Sequence, residues 1–145
     1  MFLLDADTLI FLVRGLKANA KDAPRRRALR ILRKCEAAHR AGDHIAVSAI
    51  TLSEIEFGAR GGSDYAAEMA ATHKVLMPFV IVDFTAVDCP AHYGQVRRDL
   101  QLAGTPIGAM DQLLAAHALA LDATLVTNNV AHFERVQNLR IVNWS

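Results

Sequence analysis

The stretch "FLLDADTLI", residues 2–10, decides the fold. Phe2, Leu3 and Leu4 form a short apolar run, which reads as a strand buried in a sheet. Asp5, Asp7 and Thr8 follow at once, and Leu9 and Ile10 open a second apolar run that reads as a helix. A buried strand passing straight into a helix is the start of a β–α unit. It also leaves carboxylates at the carboxyl end of a strand, where open α/β sheets bind their ligands.

The same alternation continues outward from this stretch. Residues 7–15 read as an apolar helix with Asp7 or Thr8 as its cap and Gly15 as its stop. After a polar loop, "PRRRALRILRKCEAAHRAG" reads as a helix with Pro24 in its first turn and Gly42 just past its end. Leu29, Leu32 and Cys35 share one face of it, and Arg26, Arg30 and Arg33 share another. Residues 44–48 are strand-like. Residues 51–60 read as a helix opened by Thr51, with Glu54 three residues on in the manner of a capping box. A second helix, 64–76, ends before Pro78. "FVIVDF", 79–84, is the clearest strand, because β-branched and aromatic residues dominate it. Residues 86–103 read as a long helix. "AMDQLLAAHALAL" reads as a helix apolar nearly all round, hence buried. Strands at 123–127 and 139–144 flank a short helix at about 131–136. Strands and helices therefore alternate. The expected fold is α/β, with a mainly parallel central sheet of about five strands and helices on both faces. No repeat, linker or low-complexity segment divides residues 1–145, so a single domain is expected.

Composition narrows the class. A hydrophobic content of 52% argues against disorder. No apolar run approaches the roughly 20 residues of a membrane span, and no secretion signal is legible at the N-terminus. Cys35 and Cys89 form no Cys-x-x-Cys pair, which suggests free thiols in a reducing cytoplasm. The net charge of +1 is neutral on partners. Its distribution is more telling: Arg25, Arg26, Arg27, Arg30, Arg33, Lys34 and Arg40 crowd one segment, a solvated helix face or a surface for phosphates or an acidic partner.

Three acids stand at element boundaries. Asp5 ends the first strand, Glu54 lies early in the helix after the second, and Asp111 opens the most apolar helix. Taken singly, Glu54 and Asp111 suit helix N-termini, worth about 0.3–1 kcal/mol each, and Asp7 suits a helix cap. Asp5 has no helix to cap on this reading. Together the acids form an oxygen-rich set of the kind hard cations such as Mg²⁺ or Mn²⁺ take. Without a cation, carboxylates in one cleft repel and some hold protons. Zinc is disfavoured, because none of the six histidines pairs at ligand spacing. His117 reads as a packed core histidine.

An Asp-x-Asp-Thr run after a strand, residues 5–8, brings two enzyme classes into view. A phosphatase resembling the haloacid-dehalogenase superfamily would use Asp5 as nucleophile, but it needs a lysine past mid-chain and a late acidic pair. The last lysine is Lys74, and the late strand ends in Thr127-Asn128-Asn129. The other class fits better. "LLDADTLI", "ITLSEIEFGA", "GAMDQLLAAHAL", "LVTNN" and "HFERVQNLRIVNW" occur in the order found in PIN-domain ribonucleases, and the chain resembles the VapC-type toxins among them.

That resemblance implies a compact three-layer α/β/α fold and a metal-dependent endoribonuclease, the toxin of a type II toxin–antitoxin pair. It places the family's acids on Asp5, Glu54 and Asp111, all three as metal residues, with Mg²⁺ (or Mn²⁺) as cofactor. Its fourth position, often aspartate, falls on Asn129, with Asn128 as the neighbouring alternative, and its Thr/Ser on Thr127. The implied partners are an RNA substrate, a small cognate antitoxin and a second copy of the chain. Helices 51–76 are the expected dimer interface, and Arg26, Arg30 and Arg33 the expected RNA contacts. No membrane association and a cytoplasmic location complete the expectation. The alternative is a catalytically degenerate protein-binding module, favoured by the uncharged Asn129; the dehalogenase-type phosphatase is a distant third.

Overall fold

A computed structural model describes all residues, 1–145. Five strands, β1 (Phe2–Leu4), β2 (Ile45–Ser48), β3 (Val80–Val82), β4 (Thr124–Val126) and β5 (Arg140–Val142), form one sheet in the order β3-β2-β1-β4-β5. Every pairing is parallel, so the sheet is wholly rather than mainly parallel. Seven helices connect the strands: α1 (Ala6–Gly15), α2 (Asp22–Arg40), α3 (Ala49–Arg60), α4 (Tyr65–Leu76), α5 (Cys89–Ala103), α6 (Ala109–Ala120) and α7 (Val130–Phe133).

Side-chain alternation along the central strands builds two cores, one on each face. Leu4, Val47 and Val126 join Leu9, Leu12, Ile31 and Ile55 on one side. Leu3, Ala46 and Leu125 join Leu100, Leu114 and Phe133 on the other. Full burial of each such leucine or phenylalanine contributes about 1.5–3 kcal/mol. The result is the three-layer architecture expected from the alternation. Cys35 and Cys89 are free and buried, and burial pushes the Cys35 thiol up to about 12, which keeps it unreactive. No helix is long and apolar enough to cross a membrane.

The sheet order positions the site. From β1 the chain steps one way to β2 and β3, then returns to the other side of β1 as β4. The carboxyl ends of β1 and β4 therefore flank the switch point where open α/β sheets bind ligands. The Asp5 N–H donates to the Val126 carbonyl at 3.1 Å, carrying the β1–β4 pairing one residue past the strand.

Several local expectations are corrected. Asp5, not Asp7 or Thr8, caps α1: its Oδ1 accepts from the Thr8 N–H at 2.8 Å. Gly15 closes the helix from within, and for a different reason than chain reversal. A Cβ there would stand 2.4 Å from both the Ala28 Cβ and the Pro24 carbonyl oxygen, so only glycine lets α1 and α2 touch. Ser48, not Thr51, caps α3, which starts at Ala49 and leaves Glu54 in its second turn; there is no capping box. Thr51 is buried and donates to the Leu4 carbonyl at 3.2 Å. The buried face of α2 is Ala28, Ile31 and Cys35, whereas Leu29 is exposed. "FVIVDF" yields only the three-residue β3 at the sheet edge, with Val80 and Ile81 each 45% exposed. β-branched composition marks strand geometry but does not separate an edge strand from a central one.

Candidate active site

Beyond the carboxyl ends of β1 and β4 lies a small cleft of about 60 Å³, lined by Asp5, Ala6, Asp7, Glu54, Asp111, Leu114, Asn129 and Phe133. Four elements besides β1 and β4 bring these side chains in: α1 carries Asp7, α3 carries Glu54, α6 carries Asp111 in its first turn, and α7 carries Phe133 with Asn129 just before it. Asp5, Glu54, Asp111 and Asn129, far apart in sequence, thus face one space. Thr127 sits just behind it, fully buried, with its Oγ1 accepting from the Asn129 N–H at 2.9 Å. Arg26, Arg30 and Arg33 do not join them; they lie exposed on α2, and none lines the cleft.

Two further residues gain weight from the structure. Asp7 reads as a cap, yet it is a fourth carboxylate of the cleft. His132, on α7, places Nδ1 2.8 Å from Asn129 Nδ2 and 3.5 Å from Asp111 Oδ2. The i, i+3 spacing of Asn129 and His132 is the one signal in the sequence, and it gains meaning only once α7 is placed beside Asp111.

The electrostatics follow from the geometry. Burial raises the Asp5 carboxyl above its ordinary value; the hydroxyls of Thr127 and Thr8 and the Thr8 N–H work in the opposite direction, and Asp7 adds to the rise. Glu54 is raised first by burial and then by the charges of Asp111, Asp5 and Asp7. No lysine or arginine lines the cleft to offset four carboxylates. The donor set is all oxygen, apart from the Asn129 amide nitrogen, and suits a hard divalent cation. As the side chains stand, no three acid, imidazole or thiol groups come close enough together to hold an ion between them. Mg²⁺ keeps several of its waters and takes only one or two carboxylates directly, so it does not require a preformed cage.

A larger groove, about 520 Å³, adjoins the cleft and shares Glu54 with it. It runs between α1, α3 and α4, with Arg14, Lys17 and Gly58 on its walls. A Cβ on Gly58 would meet nothing within 4 Å, so its bare backbone leaves open space one turn from Glu54. His117 is a core residue as expected, with Nδ1 2.8 Å from Ser48 Oγ, and burial keeps it neutral.

Comparison with known proteins agrees with this arrangement. The model of the PIN domain matches residues 3–139. Ribonuclease VapC2 of Rickettsia felis is 39% identical over 100 residues, 69% of this chain and 74% of that protein. The tRNA(fMet)-specific endonuclease VapC of Salmonella typhimurium is 30% identical over 143 residues, 99% of this chain and 97% of that one. Among solved structures, Rickettsia felis VapBC2 bound to a promoter DNA fragment matches with a TM-score of 0.85 and 29% identity, covering 99% of this chain and 98% of that one. DNA-bound VapBC from Salmonella typhimurium matches with a TM-score of 0.83 and 28% identity, over 99% and 98% of the two chains. By the extent of these matches, and by the sheet and helix order that carries them, the chain belongs to the PIN-domain family and, within it, to the VapC group.

Proposed function

We propose that the chain is a Mg²⁺-dependent endoribonuclease, the toxin of a type II toxin–antitoxin pair, with residues 1–145 acting as a single nuclease domain. The observation that carries this reading is the cleft itself: four carboxylates with no basic residue among its walls, at the sheet's switch point, in a VapC-group chain.

Asp5 and Asp111 would hold the cation, with Glu54 as the third acid. When bound, it supplies positive charge to a phosphodiester oxygen and makes water more acidic. The chain's own groups do the rest. Glu54 is half-buried among other acids and holds a proton more readily than an ordinary glutamate, which suits a group that orients water and takes its proton. The water oxygen bonds to phosphorus in line with the departing 3′ oxygen. The bond from phosphorus to the 3′ oxygen breaks, that oxygen takes a proton from solvent in balance with the one Glu54 removes from the water, and the products are a 3′-hydroxyl and a 5′-phosphate. Asn129 faces the cleft where an ion would sit, Thr127 holds the Asn129 backbone from behind, and Phe133 and Leu114 give the cleft an apolar wall.

Transfer RNA is the substrate class to test first, given the activity named for the Salmonella relative. The VapBC assemblies among the structural matches support a cognate antitoxin as partner, with a peptide arm laid in the groove beside Glu54. Phe57 and Met77, each 83% exposed on or beside α3 and α4, support a homodimer through these helices. An RNA-cutting toxin of this type works in the cytoplasm. The test is expression in cells of the wild type and of Asp5→Ala, with sequencing of new RNA 5′ ends. New ends that arise only with the wild type support the reading, and their absence contradicts it.

Asn129 favours one rival, a degenerate module that binds protein and cuts nothing. Thermal unfolding during a Mg²⁺ titration separates the two. An ion bound by the folded state raises stability, and a degenerate pocket leaves it unchanged.

A further inference from the structure

We infer that His132 is a positioning residue whose Nδ1 holds the side-chain amide of Asn129, so that the amide oxygen, not the NH2, is offered to the acidic cleft. This inference rests on the metal-dependent reading above.

An amide beside a cation site has a problem that a carboxylate does not. A carboxylate presents oxygen from either end. An asparagine presents oxygen from one end and two N–H donors from the other, and a donor aimed at a cation has the wrong sign. Something must therefore decide which end faces the cleft.

The structure offers one group that does so. Asn129 Nδ2 lies 2.8 Å from His132 Nδ1. An NH2 can only donate, so Nδ1 accepts and the ring proton sits on Nε2. Asn129 lines the cleft, and with Nδ2 taken up by His132 its Oδ1 makes no hydrogen bond within the protein. The backbone supports the same geometry. Asn129 is the residue before α7 and its N–H is held by Thr127 Oγ1 at 2.9 Å, while His132 stands one turn on.

The competing arrangement turns the amide over and puts the proton on Nδ1, which would then donate to Asn129 Oδ1 and to Asp111 Oδ2. Nδ1 carries one proton or one lone pair, so the two arrangements exclude each other. A hydrogen bond from an imidazole to a carboxylate closes to about 2.7–2.9 Å. The distance to Asp111 Oδ2 is 3.5 Å, too long for that bond, while the distance to the amide is fully closed. With Asn129 Nδ2 standing against it, Nδ1 accepts, and at 3.5 Å it makes no closed bond to Asp111 Oδ2, which leaves that carboxylate free for the cation.

The test is a double-mutant cycle on the full chain, read by Mn²⁺- or Mg²⁺-induced thermal stabilisation and, separately, by RNA cleavage. His132→Ala is expected to weaken the metal midpoint about 10- to 100-fold, as outer groups that orient ligands do. In an Asn129→Asp background the same substitution is expected to change it by no more than a factor of about two, as for uncoupled sites, because a carboxylate needs no orienting. His132→Asn, whose own amide oxygen can stand in for Nδ1, is expected to retain most of the affinity. Nitrogen-15 NMR of the unsubstituted, metal-free protein is expected to show the Nε2–H tautomer at His132. An equal loss in both backgrounds, or an Nδ1–H tautomer, overturns the inference. Asp111→Asn separates the two levels: stabilisation by metal that survives it undoes the functional reading itself.

Discussion

Asp5 Oδ1 accepts a hydrogen bond from the backbone N–H of Thr8 at 2.8 Å, so the carboxylate that lines the acidic cleft is also the cap of α1. One side chain serves both the fold and the site, and substitutions can part the two roles. Asparagine caps a helix about as well as aspartate, whereas alanine loses about 0.5–2 kcal/mol of cap stability. Asp5→Asn and Asp5→Ala are both expected to lose RNA cleavage. Only Asp5→Ala is expected to lower stability relative to Asp5→Asn, measured by urea unfolding without metal. Equal stability of the two variants would show that the cap bond contributes nothing.

The raised carboxyls of Asp5 and Glu54 predict a pH dependence of definite sign. Both acids hold protons more tightly folded than unfolded, so the folded state binds more protons between the ordinary values of 3.8 and 4.5 and the raised ones. Stability of the metal-free protein therefore falls as pH rises from about 4 through that window. The contribution is fully present below the ordinary values and is lost above the raised ones. Asp5→Asn is expected to flatten the fall, and added Mg²⁺ to offset it, as seen in melting temperature against pH. A metal-free protein that gained stability across this window, with no difference in Asp5→Asn, would contradict the assignment.

Arg26, Arg30 and Arg33 follow one face of α2, exposed and away from the cleft walls. If that face follows the RNA backbone, replacing all three with glutamine leaves up to three phosphates without a cationic partner. The slope of log affinity against log salt should then shrink by about 0.7 for each phosphate no longer neutralised on single-stranded RNA, while the rate of cutting at saturating RNA stays close to wild type. An unchanged slope assigns the arginines to solvent.

Ser48 ties the sheet to two helices. Its Oγ accepts from the Ile50 N–H at 3.0 Å and lies 2.8 Å from His117 Nδ1, while His117 Nε2 is buried without a partner. Ser48→Ala removes a cap and takes from the imidazole its 2.8 Å partner. A loss of about 1–3 kcal/mol is expected in urea unfolding, the cost of leaving a buried polar group unpaired. A neutral outcome would mean that this core polar pair is dispensable.

The order of strands and helices along the chain is legible in the sequence because apolar runs of strand length alternate with longer helical stretches, although the buried face of α2 is not: Leu29 is exposed and Ala28 and Ile31 are buried. Asp5, Glu54 and Asp111 are legible because acids stand at boundaries where apolar residues dominate. Other features lie outside what one chain reveals. The cap of α1 is ambiguous because Asp5, Asp7 and Thr8 all have capping side chains, and only the backbone's exit from β1 chooses among them. Asp7 and His132 are hidden because their importance lies in which element faces them, a matter of sheet order rather than local pattern. The edge position of β3 depends on where the chain turns back, and its β-branched residues look the same at the edge as in the centre.

The most direct test of the central claim is cleavage of purified transfer RNA by purified protein with mapped product ends. Three samples suffice: wild type with Mg²⁺, wild type with the metal chelated, and Asp111→Asn with Mg²⁺. The expected result is discrete cutting in the first sample alone, with 5′-phosphate ends, restored to the second by adding Mg²⁺ back. Cutting at the wild-type rate by Asp111→Asn, or in the chelated sample, would contradict a cation held in the acidic cleft as the source of the activity.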